Sequence, residues 1–127
     1  MLVKYELFEP FNYALMELCK VKDLPRIISN KITDFMLKQW EVEYNIFTKE
    51  RIKICEIYCD RDESGNPIVE NKNYKFVAKA TEYNTEMQAF LAIEKDVTWE
   101  AINEAETGKD PIPTTVLIIL KKIGFVV

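Results

Sequence analysis

The chain contains no histidine. That removes the commonest general base and the commonest transition-metal ligand, and with them any Ser-His-Asp or Cys-His hydrolytic site. Glycine is nearly as scarce. Gly65, Gly108 and Gly124 stand apart, none in a GxGxxG or GKT/S setting, so no glycine-rich phosphate loop is present. Nothing local points to a nucleotide pocket built on Arg26, Arg51 or Arg61. No apolar run approaches the roughly 20 residues that span a bilayer, so no membrane partner is expected. The opening MLVKYELFEPF has neither a basic region nor a continuous apolar stretch of the signal-peptide kind. Without an export signal, the odd set Cys19, Cys55 and Cys59 reads as reduced thiols of a cytosolic protein. A net charge of −4 leaves no excess of Lys and Arg for a phosphate backbone, so direct nucleic-acid binding is not expected.

What is present suits one domain over residues 1–127, long enough to bury a core without metals or disulfides. In VKYELF, Val3, Tyr5 and Leu7 alternate with Lys4 and Glu6, which predicts a half-buried strand over residues 2–8. Pro10 suits the first turn of a helix over residues 10–21, with Tyr13, Leu15, Met16, Leu18 and Cys19 on its apolar face. A second helix is predicted from near Asp23, the expected cap, to about Tyr58, with Pro25 in its first turn. It carries two adjacent apolar stripes: Ile28, Ile32, Phe35, Val42 and Ile46 on one, Met36, Trp40, Phe47 and Ile54 on the other. Such a helix would be roughly 50 Å long. Either part of it packs on something else, or it kinks near Asn45–Thr48.

Ser64-Gly65-Asn66-Pro67 reads as a turn. A third helix is expected over Lys75–Ile93, then a strand in DVTWEAI (96–102) that pairs with the first. Residues 103–113 read as a loop. The close is a short helix capped by Thr114, with Lys121 and Lys122 at its C-terminal dipole and Gly124 ending it. The predicted class is α+β, mainly α: a helical hairpin with a long second helix, a third helix, a small antiparallel strand pair and a C-terminal helix.

Three groups of residues carry candidate chemistry. Asp60, Asp62, Ser64 and Gly65 match positions 1, 3, 5 and 6 of an EF-hand loop. Position 12, however, falls on Asn71, Glu70 comes one place early, and position 8 is Pro67, which has no N–H. The stretch is expected to be a solvated acidic turn, with no metal or other cofactor. Cys55 and Cys59, at i and i+4, could pair with Asp60 or Asp62 for zinc. The four-ligand Cys/His spacing of structural zinc is missing, so they read as buried apolar residues. Glu41, Glu43, Glu50 and Glu56 interleave with Lys38, Lys49, Arg51 and Lys53, as on a solvated helix face, and offer no acid/base pair. The third group is Met36, Trp40, Tyr44 and Phe47, on a helix that looks long for its domain. They pack on the protein's own core or form a partner-binding patch, and they are the candidate interaction set.

Helix, longer helix, Tyr58-x-x-Asp-x-Asp-Glu-x-Gly-Asn-Pro-Ile68, helix, strand and a closing Ile112-Pro113-x-x-Val116-Leu117 helix: this order is similar to an uncharacterised family of small proteins encoded by phages and prophages of Gram-positive bacteria. The strand at residues 2–8 and the short end after Gly124 depart from its pattern. The resemblance implies a phage setting, often near late genes for tail or lysis functions, and carries over no catalytic residue. The expected function is therefore non-enzymatic. The chain reads as a phage accessory or structural protein that self-associates as a homo-oligomer and binds an unidentified phage or host protein, in the host cytoplasm or the virion. The alternative is an inhibitor of host defence, either an anti-CRISPR-like nuclease blocker or a nucleotide-signal sponge.

Overall fold

From Pro25 to Ser64 the sequence contains no further proline and no glycine, and most of that stretch takes one continuous helical course. The computed structural model, which describes residues 1–108 and 111–127, carries it from Arg26 to Tyr58, 33 residues. It comprises α2 (Arg26–Phe35), a π-turn (Met36–Trp40) and α3 (Glu41–Tyr58). In the π-turn the Glu41 N–H donates to the Met36 carbonyl, five residues back. Asp23 is not the cap. It sits in the left-handed region at φ 61°, and Pro25 occupies the N-cap position. There is no kink at Asn45–Thr48, which lies inside regular helix.

The π-turn decides which face of the helix is buried. The extra residue held in a π-turn sets all later side chains back by about 100° from where an unbroken α-helix would put them. Ile28, Ile32 and Phe35 lie in the core, and in an unbroken α-helix that stripe would continue through Val42 and Ile46. After the π-turn the buried positions are instead Trp40 and Phe47, with Tyr44 and Ile54 packed beside them. Val42 and Ile46 are carried outside.

The remaining elements surround this rod. Helix α1 (Phe8–Leu18) buries Phe8, Phe11, Ala14, Leu15 and Leu18, and its Pro10 lies in the first turn, where a missing N–H is harmless. The predicted strand over residues 2–8 shortens to β1 (Leu2–Lys4), because Tyr5–Leu7 coil into a 3-10 turn. That coiling brings Tyr5, Phe8 and Phe11 inward together, a spacing of three that an extended strand cannot provide. The residues after Asp60 form a hairpin, β2 (Val69–Glu70) with β3 (Asn73–Tyr74), which the sequence reading lacks. The third helix, α4 (Ala80–Leu91), consequently starts later than Lys75. Strand β4 (Glu94–Asp96) pairs antiparallel with β1 through Leu2↔Asp96, Val3↔Lys95 and Lys4↔Glu94. The expected pairing forms, but earlier along the chain: Thr98 N–H already turns away to the Gln39 side chain at 3.2 Å.

Of the predicted loop, residues 109–110 lie outside the described residues. Helix α5 (Thr114–Ile123) packs on α1. Pro113, not Thr114, takes its N-cap position. Gly124 ends it at φ 86°, a conformation costly for any residue with a Cβ. The chain then adds a parallel bridge, Ile102↔Val126. Core residues from β1, all five helices and the closing segment form one contiguous cluster. Its centre is aromatic: Phe11 and Trp40 rings lie 4.7 Å apart, and Phe8 and Trp40 rings 4.8 Å. The fold is mainly helical α+β, with two small antiparallel strand pairs. No described helix is long and apolar enough to cross a membrane.

Candidate functional site

The candidate interaction set divides by burial. Trp40 and Phe47 are each 1% exposed, so they form no surface patch; the π-turn has rotated them into the core. Trp40 is fixed there by its indole N–H, which donates to the Asn12 side-chain oxygen at 3.0 Å. Met36 and Tyr44 are half-buried. With Met16, Leu37 and the edge of Trp40 they line a groove of about 220 Å³ between α1 and the long helix. Met16 and Leu37 are the exposed apolar members of that groove.

The larger apolar exposure lies on the other side of α3. Val42 is 55% exposed, Ile46 39% and Ile57 62%. Together with Lys49 and Lys53 they follow spacings of four, three, four and four, which places them on one helix face. Both lysines are exposed, and Glu50 and Glu56 flank the stripe. An apolar and charged stripe of this periodicity is the surface from which helices pair. Sequence reading placed Val42 and Ile46 on one apolar stripe with Ile28, Ile32 and Phe35, without separating the inner from the outer residues. The available signal was the pair of stripes itself, offset by one residue across Met36–Trp40.

The acidic turn uses its carboxylates internally. Asp60 accepts from the backbone N–H groups of Val77 and Ala78 at 3.0 Å, tying the end of α3 to the approach to α4. Asp62 accepts from Ser64 N–H and Asn66 N–H, both at 2.9 Å, within its own loop. Arg61 donates to the carbonyls of Gly65 and Glu56. Asp60 and Asp62 therefore face different sets of amides, and among the described residues no group of three or more His, Cys, Asp or Glu is placed to hold a metal ion. Cys59 is buried, its thiol donating to the Glu56 carbonyl at 3.5 Å. Burial pushes the Cys55 thiol up, against the opposite pull of the Tyr83 hydroxyl and Arg51. A thiol held neutral is a poor nucleophile and a poor metal ligand.

The class is thus a small, mainly helical α+β protein with an exposed stripe on a long helix. Comparison with family models, curated proteins and solved structures finds no match for the chain.

Proposed function

We propose that the protein is non-catalytic and works by protein–protein contact, first with a second copy of itself, as an accessory or structural component of a phage assembly. The supporting observation is the exposed stripe Val42, Ile46, Lys49, Lys53 and Ile57 on α3. Two copies crossing antiparallel between Lys49 and Glu50 would set Val42 against Ile57 of the second copy. Ile46 would meet the apolar stem of Lys53, and Lys49 would meet Glu50. The pairing buries the apolar side chains and matches the central charges.

Light scattering across a dilution series tests this reading, with a dimer expected at micromolar concentration and above. Lys49→Glu and Glu50→Lys should each weaken the dimer, and the double swap should restore it. A strictly monomeric wild type would overturn the reading.

A second surface supports the alternative of a host-directed inhibitor. Met16, Met36 and Leu37 in the groove beside α1 are adaptable apolar contacts of the kind that accept a partner's side chain. Leu37→Glu would block such a partner while leaving the dimer intact.

A further inference from the structure

On the flank of α3 away from the groove, a cavity of about 250 Å³ opens between the start of α1, α3 and α4. Its apolar wall includes Phe47, Met87 and Leu91. Of the polar side chains that line it, two carry a buried atom without a hydrogen-bond partner: the Tyr5 hydroxyl and the Arg51 Nε. Tyr5 is 1% exposed. Its ring is fixed from several sides, packing on Phe8 and Phe90 at 4.8 Å and on Phe47 at 5.1 Å. The Lys95 ammonium, 5.8 Å from the ring centre, sits on the hydroxyl's side, but an ammonium can only donate, so the O–H proton itself is left without an acceptor. Arg51 pairs with Glu9 through a terminal nitrogen and lies 5.8 Å from the Phe47 ring centre, which leaves Nε–H free. Buried polar groups nearly always have partners, and two orphans around one cavity describe a missing acceptor.

We propose that this cavity binds a small, uncharged, largely apolar molecule bearing a carbonyl-type oxygen, which accepts hydrogen bonds from the Tyr5 hydroxyl and the Arg51 Nε–H. The size fits, since an apolar cavity of about 150 Å³ already holds benzene. Charge sets the class. Arg51 is neutralised by Glu9, and Glu6 also lines the cavity, so phosphates and dicarboxylates meet like charge. Burial pushes the Tyr5 hydroxyl up, with Lys95 opposing, so the phenol stays protonated and remains a donor.

Benzamide is a suitable probe, followed by the amide and arginine side-chain N–H resonances of the full chain. Millimolar benzamide should shift Arg51 Nε–H and the signals of Phe47, Met87 and Leu91. Benzoate should bind more weakly, and ATP should leave these signals in place. Tyr5→Phe keeps the ring and removes the donor, and should weaken benzamide at least about tenfold. Without the probe, the same variant should melt no lower than wild type, because it deletes an unsatisfied group. Absence of benzamide shifts at about 10 mM, unchanged binding in Tyr5→Phe, or a lowered melting temperature indicating a hydroxyl satisfied by internal water would each overturn the proposal.

Discussion

Ile46 and Phe47 are neighbours on one helix, both large and apolar, yet one is 39% exposed and the other 1%. Upstream, Ile28, Ile32 and Phe35 predict the opposite arrangement, because a regular helix would carry their stripe onto Ile46. The π-turn between the two regions reverses it. Hydrophobicity places a residue on a stripe; backbone phase decides whether the stripe faces the core. The core gains Trp40 and Phe47, and Val42 and Ile46 are left at the surface.

Adding one more residue should break the comparison most severely. An alanine inserted between Lys38 and Gln39, both exposed, would turn the helix after it by about 100° and carry Trp40 and Phe47 out of the core. Two large aromatic side chains would then be lost from it. The loss should approach the whole stability of a small domain, about 5–15 kcal/mol, and abolish the cooperative thermal transition. Deleting Lys38 should do far less, because the π-turn then closes to regular α-helix and Trp40 falls four residues after Phe35, on the same buried stripe. An insertion that melts normally, or a deletion that unfolds the domain, would show that the π-turn does not set the phase.

Trp40→Ala comes next. It opens a cavity beside Phe8 and Phe11 and leaves the Asn12 oxygen without its donor, for an expected loss of about 3–5 kcal/mol in urea unfolding. Val42→Ala, on the open face of the same helix, should cost at most about 0.5 kcal/mol. Similar values for both would contradict the assignment of inner and outer faces.

The acidic turn sharpens the contrast at smaller scale. Asp60 and Asp62 are two residues apart and each accepts two backbone N–H groups, but Asp60 reaches residues 77 and 78, whereas Asp62 stays within its loop. Asp60→Ala should therefore destabilise by about 1–2 kcal/mol and Asp62→Ala by less than 1 kcal/mol. Added calcium should leave the wild-type melting temperature unchanged; a rise of several degrees would restore the ion-binding reading of Asp60, Asp62 and Ser64.

The parts visible in the sequence are those with a local cause. Gly124 after Lys121 and Lys122 marks the end of α5, and the uninterrupted run after Pro25 marks the long helix. The pairing of the first strand with a later one is also legible, although its register is not, since Tyr5–Leu7 alternate like a strand while coiling for the core. The β2–β3 hairpin turns on Asn71 and Lys72 at φ 50° and 65°. Asn tolerates that geometry, but Lys gives no hint of it. The candidate site suffered most because a phase slip leaves no residue type behind it. Met36–Trp40 reads as ordinary helix, and its only trace is the doubling of the apolar stripes.

The smallest expected effect on stability is the most informative about the outer face. Ile46→Lys replaces an exposed side chain on a helix interior with another good helix former, so thermal stability of the isolated chain should change by no more than about 0.5 kcal/mol. In the proposed antiparallel pair, however, the new lysine would stand against Lys53 of the second copy. Like charges brought together at an interface oppose association, and the apolar contact of Ile46 is lost at the same time. Light scattering should then show monomer where wild type is dimeric, while circular dichroism, and melting at concentrations where both chains are monomeric, stay as they were. Adding Lys53→Glu to Ile46→Lys should recover the dimer, since each new lysine then meets a glutamate. Recovery would fix the antiparallel register, whereas a dimer that ignores Ile46→Lys would move the interface off α3.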